Sequence, residues 1–210
     1  TPLRALTGRV ELGADGGAVH RFDAVALRWD RVALQADARV RSDAPFAVEA
    51  QARLRPADAA LADDWGAEAS LQGPLQRLEA RATLHGKAQP DRPAPAFDLS
   101  ATLTPVAPWP LARLAASTQA LDLSSLSSAA PRTRLTGTVD IASSGLEAPI
   151  GAHVKLDNAL AGRWSEGLLP LRQLDATVAA RNGQRDRLEI QRFDLQLGLK
   201  VACIGPGRRR

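Results

Sequence analysis

The sequence predicts an all-β protein: one long, curled, mainly antiparallel sheet whose apolar side forms a hydrophobic groove, in a taco-like arrangement. In segment after segment, apolar residues occupy every second position, which indicates strands with one apolar and one polar face. Hardly any segment has the period of an amphipathic helix, so no helical layer is available to cover the apolar side. A β-sandwich of two facing sheets is the alternative fold.

Residues 1–104 are predicted to form a first groove segment of seven strands. The alternation covers residues 6–12, 25–29, 32–40, 46–54, 67–71, 78–84 and 97–103. Between them we expect a hairpin turn at 30–31, a short helical turn within 56–66 and a proline-rich surface loop at 86–95. Trp65 is interpreted as a packing residue at the edge of the apolar face.

Residues 105–198 are predicted to form a second groove segment. It opens with a proline-bounded connection that leads into a strand around 114–123, with a short amphipathic helix there as the alternative. The alternation then returns at 134–141, 150–156, 174–180 and 188–197. Within the last of these the parity slips by one residue at Gln191 and Arg192, which predicts a β-bulge. Residues 199–210 continue no strand pattern and are interpreted as an irregular, aberrant tail.

The composition argues against a nucleic-acid partner. The formal net charge is +4, and three of the positive charges are the arginines at 208–210, which leaves +1 for the rest of the chain. No stripe of basic residues with interleaved aromatics occurs, as nucleic-acid binding would require. The single cysteine, Cys203, cannot form an internal disulfide, so the count allows an oxidising compartment without indicating one.

Two features lead us to expect that the chain is a piece of a longer one: it starts at Thr1, and it contains no methionine. No apolar run approaches the roughly 18 to 20 residues of a membrane span, and no charged-then-apolar leader opens the sequence. Any targeting segment would then lie outside these residues.

The sequence offers no catalytic or metal-binding constellation, and we predict a protein that is not an enzyme and uses no cofactor. His20, His85 and His153 lie far apart, each on the polar parity of a strand or in a turn, without other ligands at metal-binding spacing. We interpret all three as solvated. The acidic pair Asp63 and Asp64 is interpreted as a solvated turn, and neither a nucleophile elbow nor a phosphate loop is present.

Three observations favour an open groove over a sandwich. The inward residues are mostly small aliphatics, the polar faces are charged along whole strands, and the chain looks open at both ends like a unit of a longer array. Such a groove suits acyl chains, which need apolar contact and no specific polar partner. The candidate groove-lining residues are Leu135, Val139, Ile141, Ile150, Val154, Leu156, Leu174, Val178, Leu188, Ile190, Phe193 and Leu195.

Part of the chain resembles a known family. The runs ALDLSSL at 120–126, TGTVDI at 136–141, LDNALAGRWSEGLLPLRQLDATVAARNG at 156–183 and LEIQRFDLQLG at 188–198 are similar to the central repeats of the TamB family, within the AsmA-like group. The similarity covers roughly residues 112–198, and its most distinctive part is the Asn158-Ala159-Leu160 turn with Gly162 and Trp164. The family's N-terminal anchor and C-terminal domain have no counterpart in the sequence.

The resemblance implies a periplasmic groove in a parent chain anchored in the inner membrane. It implies phospholipid transport to the outer membrane, help in outer-membrane protein assembly, or both. The implied partner is TamA, a BamA-like barrel protein of the outer membrane, engaged through regions outside this sequence. Two alternatives remain open: a chaperone-like module that binds outer-membrane protein strands at a sheet edge by β-augmentation, and a structural β-sandwich of a surface protein.

Overall fold

The computed structural model describes residues 4–88, 90, 93–107, 109–143, 150–180 and 188–198. They form one antiparallel sheet of twelve strands that follow each other in sequence order, with β1 and β12 at its two edges. The strands are β1 (Arg4–Ala14), β2 (Val19–Trp29), β3 (Val32–Arg41), β4 (Ala47–Pro56), β5 (Trp65–Pro74), β6 (Leu78–Gly86), β7 (Ala96–Leu103), β8 (Leu111–Leu121), β9 (Leu135–Ser143), β10 (Ile150–Asn158), β11 (Leu171–Ala180) and β12 (Leu188–Leu197). The predicted all-β, curled and unclosed sheet is confirmed.

The strand registers keep the apolar residues on the same side of the sheet from one edge to the other. Residues that pair directly across neighbouring strands point to the same face, so each register can be followed from strand to strand. The row through the middle of the sheet contains apolar residues alone: Val25, Ala36, Ala52, Ala69, Ala82, Leu99, Ala116, Val139, Val154, Ala176 and Phe193. The alternation therefore produces one continuous apolar face.

The sandwich alternative is wrong. All twelve strands belong to a single sheet, and each packs substantially only against its neighbours in sequence. A sandwich core would contain side chains fully removed from water, whereas no side chain in the described residues is less than 2% exposed. The apolar face is therefore not covered by a second layer formed by the described residues.

Several details predicted from the sequence are confirmed. The uncertain stretch around 114–123 lies mostly in β8 and not in a helix. The bulge in β12 falls at Gln191, because Arg192 pairs with Thr177 while Ile190 pairs with Val178. A short 3-10 helix spans Ala59–Leu61, within the expected helical turn. Three details were not predicted. Two are the 3-10 helices Leu123–Ser125 and Trp164–Glu166, and the third is that β4 starts at Ala47, after Phe46.

The first half of β2 was missed, and with it the position of His20. A register shift lies between Phe22 and Val25, and Ala24 within it has a φ of 49°. This bulge reverses the parity, so the strand starts at Val19 instead of Val25. His20 pairs with Val40 and therefore lies on the apolar face, which corrects the expectation that it would be on the polar parity of a strand or in a turn.

The best-buried apolar cluster lies at one end of the strands. Its members are Val32, Trp65, Leu84, Leu121 and Leu135, with Leu54, Ala67, Phe97, Leu123, Leu126 and Leu169 packed against them. Trp65 is 8% exposed, which confirms its packing role. We call this end, where the β2–β3, β4–β5, β6–β7, β8–β9 and β10–β11 connections lie, the capped end.

Two glycines on neighbouring strands provide a matched test of the sheet geometry. A Cβ added at Gly137 in β9 would collide with the Lys155 carbonyl oxygen and the Leu156 Cα of β10, whereas a Cβ at Gly151 would meet nothing within 4 Å. We expect Gly137→Ala to lower the free energy of unfolding by about 1–3 kcal/mol. Gly151→Ala should leave it unchanged or raise it by up to about 1 kcal/mol. Urea unfolding followed by circular dichroism measures both, and equal effects would contradict the register.

Candidate functional site

The apolar face is almost free of polar side chains. No charged side chain lies on it among the described residues that the strand registers pair, and the polar ones there are His20, Thr118, Ser143 and Asn158. In β9 and β10 its residues are half-buried or buried, while the residues between them on the other face are exposed. The sheet therefore curls toward the apolar face, which is its concave side.

The depth of the groove follows from the sizes of these residues. In β3 to β6 the middle row consists of Ala36, Ala52, Ala69 and Ala82, whose methyl side chains leave free space above the backbone. In β9 and β10 the same row carries Val139 and Val154. The floor of the groove therefore carries small side chains in β3 to β6 and larger ones in β9 and β10. The groove is deeper where the side chains are small.

The structure places the predicted lining residues on this face, but not all in the same environment. Leu135 lies in the packed cluster of the capped end. Ile190, Phe193 and Leu195 are exposed on the edge strand β12, and the side chain of Leu188 is outside the described residues. The remaining predicted residues are half-buried in the groove: Val139, Ile141, Ile150, Val154, Leu156, Leu174 and Val178. The tail at 199–210, including Cys203, is also outside the described residues.

The opposite, charged face holds ion pairs between neighbouring strands. Arg53 and Glu68 are 3.3 Å apart across β4 and β5. Asp175 of β11 is nearly buried and lies 3.2 Å from the Arg192 guanidinium and 3.6 Å from His153 Nε2. His153 is thus half-exposed beside a carboxylate. Among the described residues no three His, Cys, Asp or Glu side chains come together as a metal site would require.

The connection between β8 and β9 covers the capped end of the groove. Its residues Leu123 and Leu126 pack on the apolar cluster. Asp122 Oδ1 accepts hydrogen bonds from the backbone N–H groups of Ser124 (3.0 Å) and Thr133 (3.1 Å). The buried Thr133 hydroxyl donates to the Leu121 carbonyl (3.0 Å) and accepts from the Leu123 N–H (3.0 Å). These bonds fix the connection in place.

The same connection reaches the β2–β3 turn on the far side of the groove. Asp30 accepts from the Ser128 N–H (2.6 Å), the Ser128 hydroxyl (2.9 Å) and the Ser127 hydroxyl (3.0 Å), and Arg31 donates to the Ser124 carbonyl (2.9 Å). Strands β3 and β8 are five ladder spacings apart, about 24 Å along the sheet. The contacts therefore need both the curl of the sheet and a connection that crosses the groove. We call these bonds the clasp.

The Asn158 turn, the most distinctive part of the family resemblance, is a hydrogen-bonding centre at the capped end. Asn158 is 3% exposed. Its Oδ1 accepts from the N–H groups of Arg134 (3.0 Å) and Leu160 (3.1 Å), and its Nδ2 donates to the Leu171 carbonyl (3.0 Å). One side chain thus ties β9, β10 and β11 together. Trp164, in contrast, is 64% exposed.

A cavity of about 590 Å³ opens beside the clasp. It is lined by charges of both signs, including Arg31, Lys87, Arg134 and Asp64, as well as by Trp65. Its mixed lining differs from that of the uncharged groove, so the two spaces suit different ligands. Sequence reasoning missed this cavity and the clasp because both join segments far apart in the chain.

Sequence reasoning also left out the groove lining of the first half. Leu34, Leu54, Leu71 and Leu99 share the apolar face with the predicted residues. Their alternation was visible in the sequence, but the candidate residues were taken only from the stretch that carries the family resemblance. The structure shows no such division, because β7 pairs with β8 and the face continues through both segments.

The clasp predicts a dependence of stability on pH. Hydrogen bonds from the backbone and the hydroxyl of Ser128 hold the pKa of the Asp30 carboxyl below its ordinary value. A carboxyl with a lowered folded-state pKa stabilises the fold above its unfolded pKa, about 3.9, and loses this contribution as the pH falls through the folded value. Asp30→Ala should therefore lower Tm near neutral pH, and the difference from the wild type should shrink below about pH 4. Asp98→Ala, an exposed carboxylate on β7, is the control. A constant difference at all pH values would contradict the role of Asp30.

No helix in the described residues is long and apolar enough to cross a membrane. Neither the family models, nor the curated proteins, nor the solved structures contain a match to this chain.

Proposed function

We propose that the chain is a non-enzymatic groove segment that shields the acyl chains of phospholipids. The observation that carries the proposal is the uncharged, incompletely buried face that continues across all twelve strands. A soluble protein seldom leaves such a face without an occupant. Each CH₂ group removed from water contributes about 0.8 kcal/mol, so a lipid tail can bind there without any specific polar contact.

The polar side chains on the face support an apolar ligand. The Thr118 hydroxyl donates to the Ala96 carbonyl (3.1 Å), and His20 Nδ1 accepts from the Gly13 N–H (3.1 Å). Asn158 is bonded to the backbone of its neighbours. Since these groups are engaged within the protein, they offer little to a polar ligand, and the groove selects by hydrophobicity.

The cellular setting rests on the resemblance of residues 112–198 to the central repeats of the TamB family. On that basis we propose a periplasmic location in a parent chain anchored in the inner membrane. The groove would serve phospholipid transport to the outer membrane, outer-membrane protein assembly, or both, with TamA as the outer-membrane partner. A sheet that curls around an uncharged face is compatible with this role.

Photo-crosslinking tests which face holds the lipid. A photoreactive residue at Val139, Val154 or Val178, on the groove face, should capture phospholipid. The same residue at Thr138, Lys155 or Thr177, one position away on the charged face, should not. Mass spectrometry of the purified adducts identifies the lipid. Equal capture at both sets would refute the groove proposal.

A charge placed in the groove should reduce binding of a fatty-acid probe. Val139→Asp puts a carboxylate on the half-buried apolar face, whereas Thr138→Asp puts it on the exposed face of the same strand. Desolvation of the carboxylate by the bound tail is costly. The affinity for cis-parinaric acid, measured by its fluorescence, should therefore fall at least about tenfold for Val139→Asp only. Circular dichroism checks that both variants are folded, and unchanged affinity in Val139→Asp would count against the proposal.

A further inference from the structure

The cavity beside the clasp is built by connections between inner strands. Its walls come mainly from the β2–β3 turn, the β4–β5, β6–β7 and β8–β9 connections, and Leu160 after β10. Its volume of about 590 Å³ is within the range of about 300–1,000 Å³ that is typical of small-molecule sites. Neither β1 nor β12 contributes to its walls, so the cavity does not depend on the edges of the sheet.

Part of the charged lining of this cavity is engaged by the protein itself. Seven charged side chains line it: Asp30, Arg31, Asp58, Asp64, Lys87, Asp122 and Arg134. The clasp engages Asp30, and backbone N–H groups of the β8–β9 connection engage Asp122. The Lys87 ammonium lies 3.8 Å from the carboxylate of Asp63. The remaining charges are two guanidinium groups and two carboxylates.

The two guanidinium groups retain N–H donors for a ligand. Arg31 uses Nη1 for the Ser124 carbonyl (2.9 Å), and an arginine has five N–H donors. Arg134 is half-buried, and within the described residues its guanidinium has neither a hydrogen bond nor an ion pair. Because a partly buried charge without a partner is costly, an anion in the cavity would stabilise Arg134. A phosphate group fits, since two of its oxygens can accept parallel N–H bonds from one guanidinium.

The two carboxylates belong to a different part of the lining, the β4–β5 connection. Asp58 uses Oδ1 to accept from the Ala60 N–H (2.9 Å). The Asp64 carboxylate has neither a hydrogen bond nor an ion pair in the part of the chain that the structure describes. One connection thus supplies negative groups, while the β2–β3 turn and the residue before β9 supply positive ones. A ligand with one negative and one positive group would complement both.

We propose that the cavity binds a ligand that carries a phosphate and an ammonium group, with the phosphate on Arg134 and Arg31 and the ammonium on Asp64. Two sources supply this chemistry. One is the head of a zwitterionic phospholipid whose tails lie in the groove, and this source rests on the function proposed above. The other is a small soluble phosphoethanolamine compound, which does not require the groove.

Trp65 supports the lipid source, because it belongs to both spaces. It lines the cavity and is also part of the apolar cluster at the capped end of the groove. Ala69, on the groove floor, is four residues further along β5, a distance of about 13 Å. A lipid head in the cavity would therefore direct its tails toward the strands with the smallest groove side chains.

The first test is isothermal titration calorimetry with two probes. Dihexanoyl phosphatidylethanolamine, below its critical micelle concentration, offers head and tails, and glycerophosphoethanolamine offers the head alone. Arg134→Gln should weaken binding about tenfold, because it removes charge-assisted hydrogen bonds to the phosphate. Arg134→Lys should retain part of the affinity, since it keeps the charge without the fork. Arg113→Gln, exposed on β8, is the matched control. Equal affinities for the wild type and Arg134→Gln would overturn the proposal.

The same probes separate the two sources. Tighter binding of the lipid than of glycerophosphoethanolamine, with displacement of cis-parinaric acid by the lipid, would assign the head of a phospholipid. Equal binding of both probes without displacement would assign a soluble compound and rule out the lipid head. Arg134→Gln should leave the affinity for cis-parinaric acid unchanged, so failure of the cavity site and failure of the groove give different results.

The second test removes the charge assigned to the ammonium group. Asp64→Asn should weaken binding of dihexanoyl phosphatidylethanolamine about two- to fivefold. It should not weaken binding of dihexanoyl phosphatidylglycerol, whose head has no ammonium group. Asp98→Asn, an exposed carboxylate on β7, is the control, and circular dichroism checks that the variants are folded. Equal weakening for both lipids, or for neither, would refute the assignment of Asp64.

Discussion

The structure depends on a strand register that keeps the apolar residues of all twelve strands on the same face of the sheet. A slip of one residue in any strand would turn its charged residues into the groove. Register shifts occur between Phe22 and Val25, between Thr118 and Leu121, and at Gln191. In each case the apolar sequence changes parity at the same place, so the bulge returns the next apolar residue to the groove side. These bulges preserve the one-sided face and are not defects in it.

A single sheet with an apolar face must be stabilised without a second layer packed on that face. The capped end supplies part of it, because there the β8–β9 connection places Leu123 and Leu126 on the cluster around Trp65. Asn158 and the clasp hold the surrounding connections together. Along the rest of the strands the apolar residues remain half-exposed. The fold thus fixes one end of the groove with its own side chains, and the remainder of the face stays uncovered by the described residues.

The alternation in the sequence was sufficient for all the strands except the first half of β2, for their faces and for the bulge at Gln191, because each follows from neighbouring residues. It could not predict that Asp30 meets Ser127 and Ser128, since that contact depends on how far the sheet curls. His20 was misplaced because a bulge outside the regular pattern reverses its face. Asn158 was recognised as part of a family-like turn, but its role as a buried hydrogen-bonding centre needs the positions of three strands at once.

The groove and the edge strands leave different groups exposed: apolar side chains in the groove, and backbone hydrogen-bonding groups at the edges. A lipid tail in the groove would cover the apolar face but would leave the outward-facing backbone N–H and C=O groups of β1 and β12 without sheet partners among the described residues. A paired strand satisfies those groups and covers the edge side chains, yet leaves Val139 and Val154 facing an open groove. Phe193 belongs to both surfaces, because it lies at an edge and on the groove face. A lipid tail that extends along the groove as far as β12 would therefore contact Phe193.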